Sequence, residues 1–125
     1  MEIVRRLAAT PQAAAEARWC LSSLVGSVSP DQMDDLRLVV SELVTNSLLH
    51  AGLESGEPIT MTVEVLPNRI RVEVADPGHG FAEGPGPPAE GHGLGLTIVD
   101  RLADRWGRDR SSETTVWAEF ALNPV

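Results

Sequence analysis

"GHGLGLTIVDRLADRWG", residues 91–107, sets Gly91, Gly93 and Gly95 within five positions, directly ahead of a run with helical spacing. Glycine costs backbone entropy, so this many at alternate positions calls for a reason, and close approach of another group to the backbone is the usual one. Successive free amides before a helix start, helped by the helix dipole, form an anion site that needs no lysine. A mobile loop with an ordinary helix cap would carry the same residues. The rest of the chain has to decide between them.

The chain has 125 residues, 42% of them apolar, enough to bury a core, and is expected to form a single domain over residues 1–125. A net charge of −8 and a pI near 4.7 argue against a broad phosphate-neutralising surface, so no direct nucleic-acid partner is expected. All ten basic residues are arginine. Without lysine a Walker-type phosphate loop is excluded, although a GC-rich genome would produce the same bias. Cys20 is the single cysteine, so there is no disulfide framework, and it is read as a core thiol. Residues 1–18 lack the continuous apolar run of a signal peptide or membrane span, and the expectation is a soluble, cytoplasmic protein with no membrane partner.

"EIVRRLA" (2–8) predicts a short strand, and Thr10–Pro11 opens a helix to about Leu24, with Ala14, Ala17, Cys20, Leu21 and Leu24 on its apolar side. A second helix starts at Ser29 as cap, with Pro30 behind it, Gln32 in the capping-box position and Asp31 near the positive dipole end; it runs to about Gly52. Its stripe is Met33, Leu36, Val40, Leu43 and Val44, with Val39, Leu48 and Leu49 adding contacts elsewhere. "ITMTVEVL" and "RIRVEVA" alternate at period two around Pro67–Asn68, a hairpin with one buried side. Residues 76–93 hold six glycines and four prolines, which no regular element survives; so long a loop is either disordered or functional. A third helix from about Leu94 to Trp106 is expected to close at Gly107, and "TTVWAEFAL" (114–122) forms the last strand.

Two further features carry chemistry. Glu42 and Asn46 stand four residues apart on the second helix and project from one side, with His50 a turn further on. A carboxylate and a carboxamide beside an apolar helix cost free energy unless something satisfies them. Magnesium, which takes oxygen ligands and keeps several waters, would do so through one amide oxygen and ligand phosphates, leaving Glu42 free as a base. An exposed polar face, or satisfaction by backbone, is the alternative; His50 fits a dipole partner or helix stop. Asp76 ends the second hairpin strand and is followed by Gly78 and Gly80. A carboxylate there accepts from an exocyclic amine such as adenine's while the glycines let a flat base lie against the backbone; an Asp-Pro turn is the alternative.

In order, these stretches, "SELVTNSLLHAG" (41–52), "VADPGHGF" (74–81) and "GHGLGLTIVDRLADRWG", resemble the N box and two glycine boxes of the GHKL ATP-binding superfamily of gyrase, Hsp90-type chaperones, histidine kinases and MutL. At 125 residues neither a transducer domain nor phosphoacceptor helices are expected, and the chain resembles the stand-alone anti-sigma factor serine/threonine kinases of the RsbW and SpoIIAB type. "LADRWG" with a later "TVW" is similar to versions common in actinomycetes.

The resemblance implies an α+β two-layer sandwich: a mixed, mostly antiparallel sheet covered on one face by about three helices, with a flexible ATP lid. It implies ATP and Mg2+ as cofactors, with Asn46 holding the metal, Asp76 binding the adenine amine and Gly78 and Gly80 bordering the base. Gly91, His92, Gly93, Leu94 and Gly95 form the phosphate-side lid and helix start, Thr115 backs up Asp76, and Glu42 activates the attacking hydroxyl. The implied partners are a sigma factor, a STAS-type anti-sigma antagonist carrying the accepting serine, and a second copy in a homodimer paired through the opening strand and helix. His92 replaces a basic residue common in the second glycine box, and Glu113–Thr114 stand where many relatives have Gly-Lys. Each change removes a fixed positive charge near developing phosphate charge. The alternatives to a kinase are an ATP-responsive switch that holds a partner with little or no phosphotransfer, and a simple ATP hydrolase.

Overall fold

The computed structural model describes residues 1–50, 57–77, 94–110 and 113–123, with backbone alone at positions 50, 94, 95 and 110. Its strands are β1 (Glu2–Ala8), β2 (Pro58–Val65), β3 (Arg69–Asp76), β4 (Arg105–Arg110) and β5 (Thr114–Ala121). They form one sheet in the order β1-β2-β3-β5-β4, and every pairing is antiparallel. Helices α1 (Ala13–Cys20), α2 (Pro30–His50) and α3 (Leu94–Leu102) form the second layer, α1 packed on β1, α2 on β3, and α3 on β4 and α2. This is the α+β two-layer arrangement expected, except that the sheet, expected to be mixed, is antiparallel throughout among the described residues.

Alternation sets which face is covered. Ile59, Met61 and Val63 of β2, Ile70, Val72 and Val74 of β3, and Val116, Ala118 and Phe120 of β5 are all buried against the helices. Register puts Val63 opposite Val72 and Val74 opposite Val116, so apolar pairs stack across the sheet. From the helix layer come Met33, Leu36, Val39, Val40, Leu43 and Val44 of α2 and Leu96 and Val99 of α3. Each fully buried Leu or Val contributes about 1.5–3 kcal/mol of transfer free energy.

Several boundaries differ from expectation. α1 begins at Ala13, and the residue at its cap position, Gln12, makes no side-chain cap; the chain then tightens into a 3-10 turn at Leu21–Leu24. Thr10 serves through its backbone, its carbonyl accepting from Ala13 N–H at 3.0 Å. Ala13 and Ala17 face the core, whereas Ala14 and Cys20 pack at its margin, so Cys20 is half-exposed rather than a core thiol. Leu49 lies 72% exposed, outside the α2 contacts assigned to it.

The start of α2 matches in part. Ser29 Oγ accepts from Gln32 N–H at 3.2 Å, the expected cap. The Gln32 side chain does not close a box. Its Nε2 donates to Ala121 O at 2.7 Å, and its Oε1 accepts from Asn123 N–H at 2.7 Å.

The largest correction is β4. The helix expected to reach Trp106 stops at Leu102, and "RWGRDR" pairs with β5 as an edge strand. Trp106 Nε1–H donates to Asp100 Oδ1 at 2.8 Å, and Asp104 Oδ2 accepts from Ala121 N–H at 2.6 Å, pinning the turn between α3 and β4. Gly107 is needed within the strand because a Cβ there would stand 2.9 Å from Cζ2 of Trp117. On the sheet's helix-free face the Arg71 guanidinium lies 4.4 Å from the Trp117 ring centre, and Glu119, 6% exposed, accepts from both Arg71 and Arg105. Those hydrogen bonds, Arg105's first, hold the Glu119 carboxyl below its ordinary range against the opposing effect of burial.

Candidate functional site

Two elements carry the described part of the site. β3 pairs over its whole length and ends in Asp76, which the alternation of Ile70, Val72 and Val74 turns to the helix-covered face; it is 2% exposed. α2 packs on that strand and presents Glu42, half-buried, and Asn46, 5% exposed. Helical geometry places the two on one side, as the four-residue spacing requires.

Asn46 and Asp76 are polar groups with little solvent access. The Asn46 carboxamide makes no hydrogen bond among the described residues, and its polar atoms are not sealed from solvent. Ser47 beside it is 3% exposed. Among the described residues no cluster of three or more His, Cys, Asp or Glu could hold a metal. An amide oxygen such as that of Asn46, together with the oxygens of a bound phosphate group, fits magnesium's preference for oxygen ligands and retained waters.

The threonine assignment changes. Asp76 stands opposite Thr114 in the β3–β5 ladder, and Thr114, 3% exposed, shares the buried face with Val116, Ala118 and Phe120. Thr115 stands opposite Ala75 on the other face, half-buried. Thr114, and not Thr115, is thus the threonine beside Asp76. Parity along "TTVWAEF" held the signal: apolar 116, 118 and 120 put 114 inside.

Leu94 is the first residue of α3 and Gly95 the second, so the helix start falls where the glycine pattern put it. α3 packs on α2, which sets its amide-rich N-terminal end in the same layer as Glu42 and Asn46. Gly78, Gly80, Gly91, His92 and Gly93, with the rest of the expected lid, lie outside the described residues, as does the side chain of His50.

The sheet-and-helix sandwich thus sets a buried acid at a strand end beneath a helix that carries a carboxamide and a carboxylate one turn apart. Residues 7–120 match the family described as the histidine kinase-like ATPase domain, and the chain belongs to that family. ATP use comes with that membership. The chain is 30% identical to the anti-sigma F factor of Clostridium botulinum (strain Eklund 17B), with 70% of each chain covered. It is 32% identical to the serine-protein kinase RsbW of Listeria innocua, covering 82% of this chain and 76% of that one, and 28% identical to an anti-sigma F factor of Clostridium acetobutylicum. Among the described residues no helix is long and apolar enough to cross a membrane.

Proposed function

We propose that this protein is an ATP-dependent serine/threonine kinase that phosphorylates a STAS-type anti-sigma antagonist and also sequesters a sigma factor. The observation that carries it is the placement of a 5% exposed carboxamide, Asn46, one helical turn from a half-buried carboxylate, Glu42, on the helix that covers the Asp76 strand. The names of the similar anti-sigma factors and serine-protein kinases give the partner class. The reaction is assigned to the cytoplasm, where such partners act.

Asp76 accepts from the adenine amine, with Thr114 beside it, and Asn46 is the protein's ligand to magnesium. Bound magnesium neutralises charge on the phosphate oxygens. Glu42 takes the proton of the accepting serine hydroxyl; its oxygen bonds to the γ-phosphorus as the bond to the leaving ADP oxygen breaks. Phosphoryl transfer asks for positioning and charge compensation more than covalent help, so these parts suffice.

Glu42→Ala tests the assignment. ADP and ATP affinity should stay within about twofold while labelled phosphate transfer to a STAS substrate falls by at least about 100-fold, the usual weight of a general base. A second reading, an ATP-responsive switch without transfer, is favoured by the departures at His92 and at Glu113–Thr114. It holds if the unmodified protein binds ATP and a partner yet labels no acceptor.

Pairing of two copies through β1 belongs to the same proposal. The outer edge of β1 has no strand beside it among the described residues, and Val4 on it is 48% exposed. Antiparallel pairing centred on Val4 sets Glu2 of each chain opposite Arg6 of the other and joins the two valines. Val4→Lys should convert a dimer to a monomer in sedimentation.

A further inference from the structure

Gln32 lies far from Glu42, Asn46 and Asp76, yet it is 5% exposed and spends both ends of its amide on one segment. Nε2–H donates to Ala121 O, and Oε1 accepts from Asn123 N–H, each at 2.7 Å. Ser29 N–H adds a bond to Asn123 O at 2.7 Å, and Leu122 N–H donates to Asn68 O at 3.1 Å just before β3. The first turn of α2 is therefore fastened to the end of β5, which in turn is fastened to the start of β3.

These are the elements that carry the site at their other ends. From Gln32 to Asn46 is fourteen residues of helix, about 21 Å at 1.5 Å each. From Ala121 back to Thr114 is seven residues of strand, about 24 Å at 3.4 Å each. Two rods of nearly equal length are pinned together at one end, and β3, on which α2 packs, is paired with β5 up to the Asp76–Thr114 rung, so an axial shift of α2 at the pinned end is carried to Asn46 at the other. Interlocked apolar side chains limit how far α2 can slide, and two directed hydrogen bonds to a strand select one axial position within that range. Site geometry must hold within about 0.5 Å for full function.

We propose that Gln32 is a positioning residue for the nucleotide site: its bidentate latch sets the axial register of α2 against β5, and so the offset of Asn46 and Glu42 from Asp76 and Thr114. It rests on the nucleotide site proposed above, and it adds a determinant about 21 Å from that site.

The test compares Gln32→Ala with Ser29→Ala in the full chain. Ser29→Ala removes the helix cap and leaves both latch bonds, so it lowers the melting temperature without moving the helix. At a temperature where all variants are folded, calorimetry with ADP and magnesium should give about three- to tenfold weaker binding for Gln32→Ala, the size that part of two hydrogen bonds transmits. Ser29→Ala should bind as the unmodified protein does. Gln32→Glu keeps the acceptor for Asn123 but sets a carboxylate oxygen against Ala121 O, so it should weaken binding at least as much as Gln32→Ala; Gln32→Met, which lacks both latch bonds at similar volume, carries the comparison if Gln32→Ala does not fold. Amide chemical shifts at Asn46 and Thr114 give a readout that needs no nucleotide: they should move in the Gln32 variants and stay in Ser29→Ala. Equal melting losses with unchanged affinity and unchanged shifts at those two amides would overturn the latch. If the unmodified protein binds no ADP, the nucleotide assignment falls, while the shifts still decide the latch.

Discussion

Replacing Asp76 by asparagine removes one charge from a side chain 2% exposed and changes almost nothing in volume. The β3–β5 ladder at that rung is backbone and remains. Folding should therefore lose little, about 1 kcal/mol or less, a shift of a few degrees in Tm for a chain this size. Binding is a different matter. A hydrogen bond to a charged group is worth about 1.5–3 kcal/mol, and a site closed to water favours the upper half of that range. ATP affinity should drop by about 45- to 160-fold. The loss should be selective as well: a carboxylate suits the adenine amine and repels the guanine carbonyl oxygen, whereas an amide offers either an acceptor or a donor. The preference for ATP over GTP should shrink in the variant. Calorimetric titration of both nucleotides with magnesium, beside urea unfolding of the same samples, measures both effects. Unchanged ATP affinity in a folded Asp76→Asn protein would place the base elsewhere and refute the reasoning.

Thr114→Val should weaken ATP by about three- to tenfold, because a hydroxyl beside Asp76 is lost, while Thr115→Val on the opposite face should leave affinity alone; equal effects would return the role to either threonine. Glu119→Gln should cost about 1–3 kcal/mol at pH 7, discounted because its partner Arg105 is 66% exposed. Since the folded Glu119 titrates below its ordinary range, its contribution is present above that range and is lost as pH falls through the lowered value. The gap between wild type and variant in urea titrations should close on acidification, and a gap that stays constant down to pH 3 would contradict it. Gly107→Ala should cost about 1–3 kcal/mol and alter near-ultraviolet dichroism, because its Cβ would stand 2.9 Å from the Trp117 ring that Arg71 holds from above.

The elements with strong period were legible without coordinates. β1 runs Glu2–Ala8 as expected, the hairpin turns at Pro67–Asn68, and α2 starts at a serine cap behind which Pro30 fits. Each depends on neighbours a few residues away, through side-chain alternation or a single cap. The Glu42–Asn46 pair was legible for the same reason, since four residues along a helix is a local distance. β4 was not. "RWGRDR" has no apolar alternation and is a strand only because β5 offers it a ladder, with Trp117 lying where Gly107 leaves room. The choice between Thr114 and Thr115 turned on inter-strand register, and the role of Gln32 turned on a carbonyl 89 residues away.

Sequence alone determined where helices and strands begin to be favourable, which face of each is apolar, and that Glu42 and Asn46 share one side of a helix, because propensity, periodicity and capping act over a turn or two of chain. The tertiary structure decided which of two adjacent threonines faces the acid, that a charged hexapeptide closes the sheet, and how the helix bearing Asn46 is held against the strand bearing Thr114. Those depend on hydrogen bonds and close contacts between segments distant in the chain, whose partners no local pattern encodes.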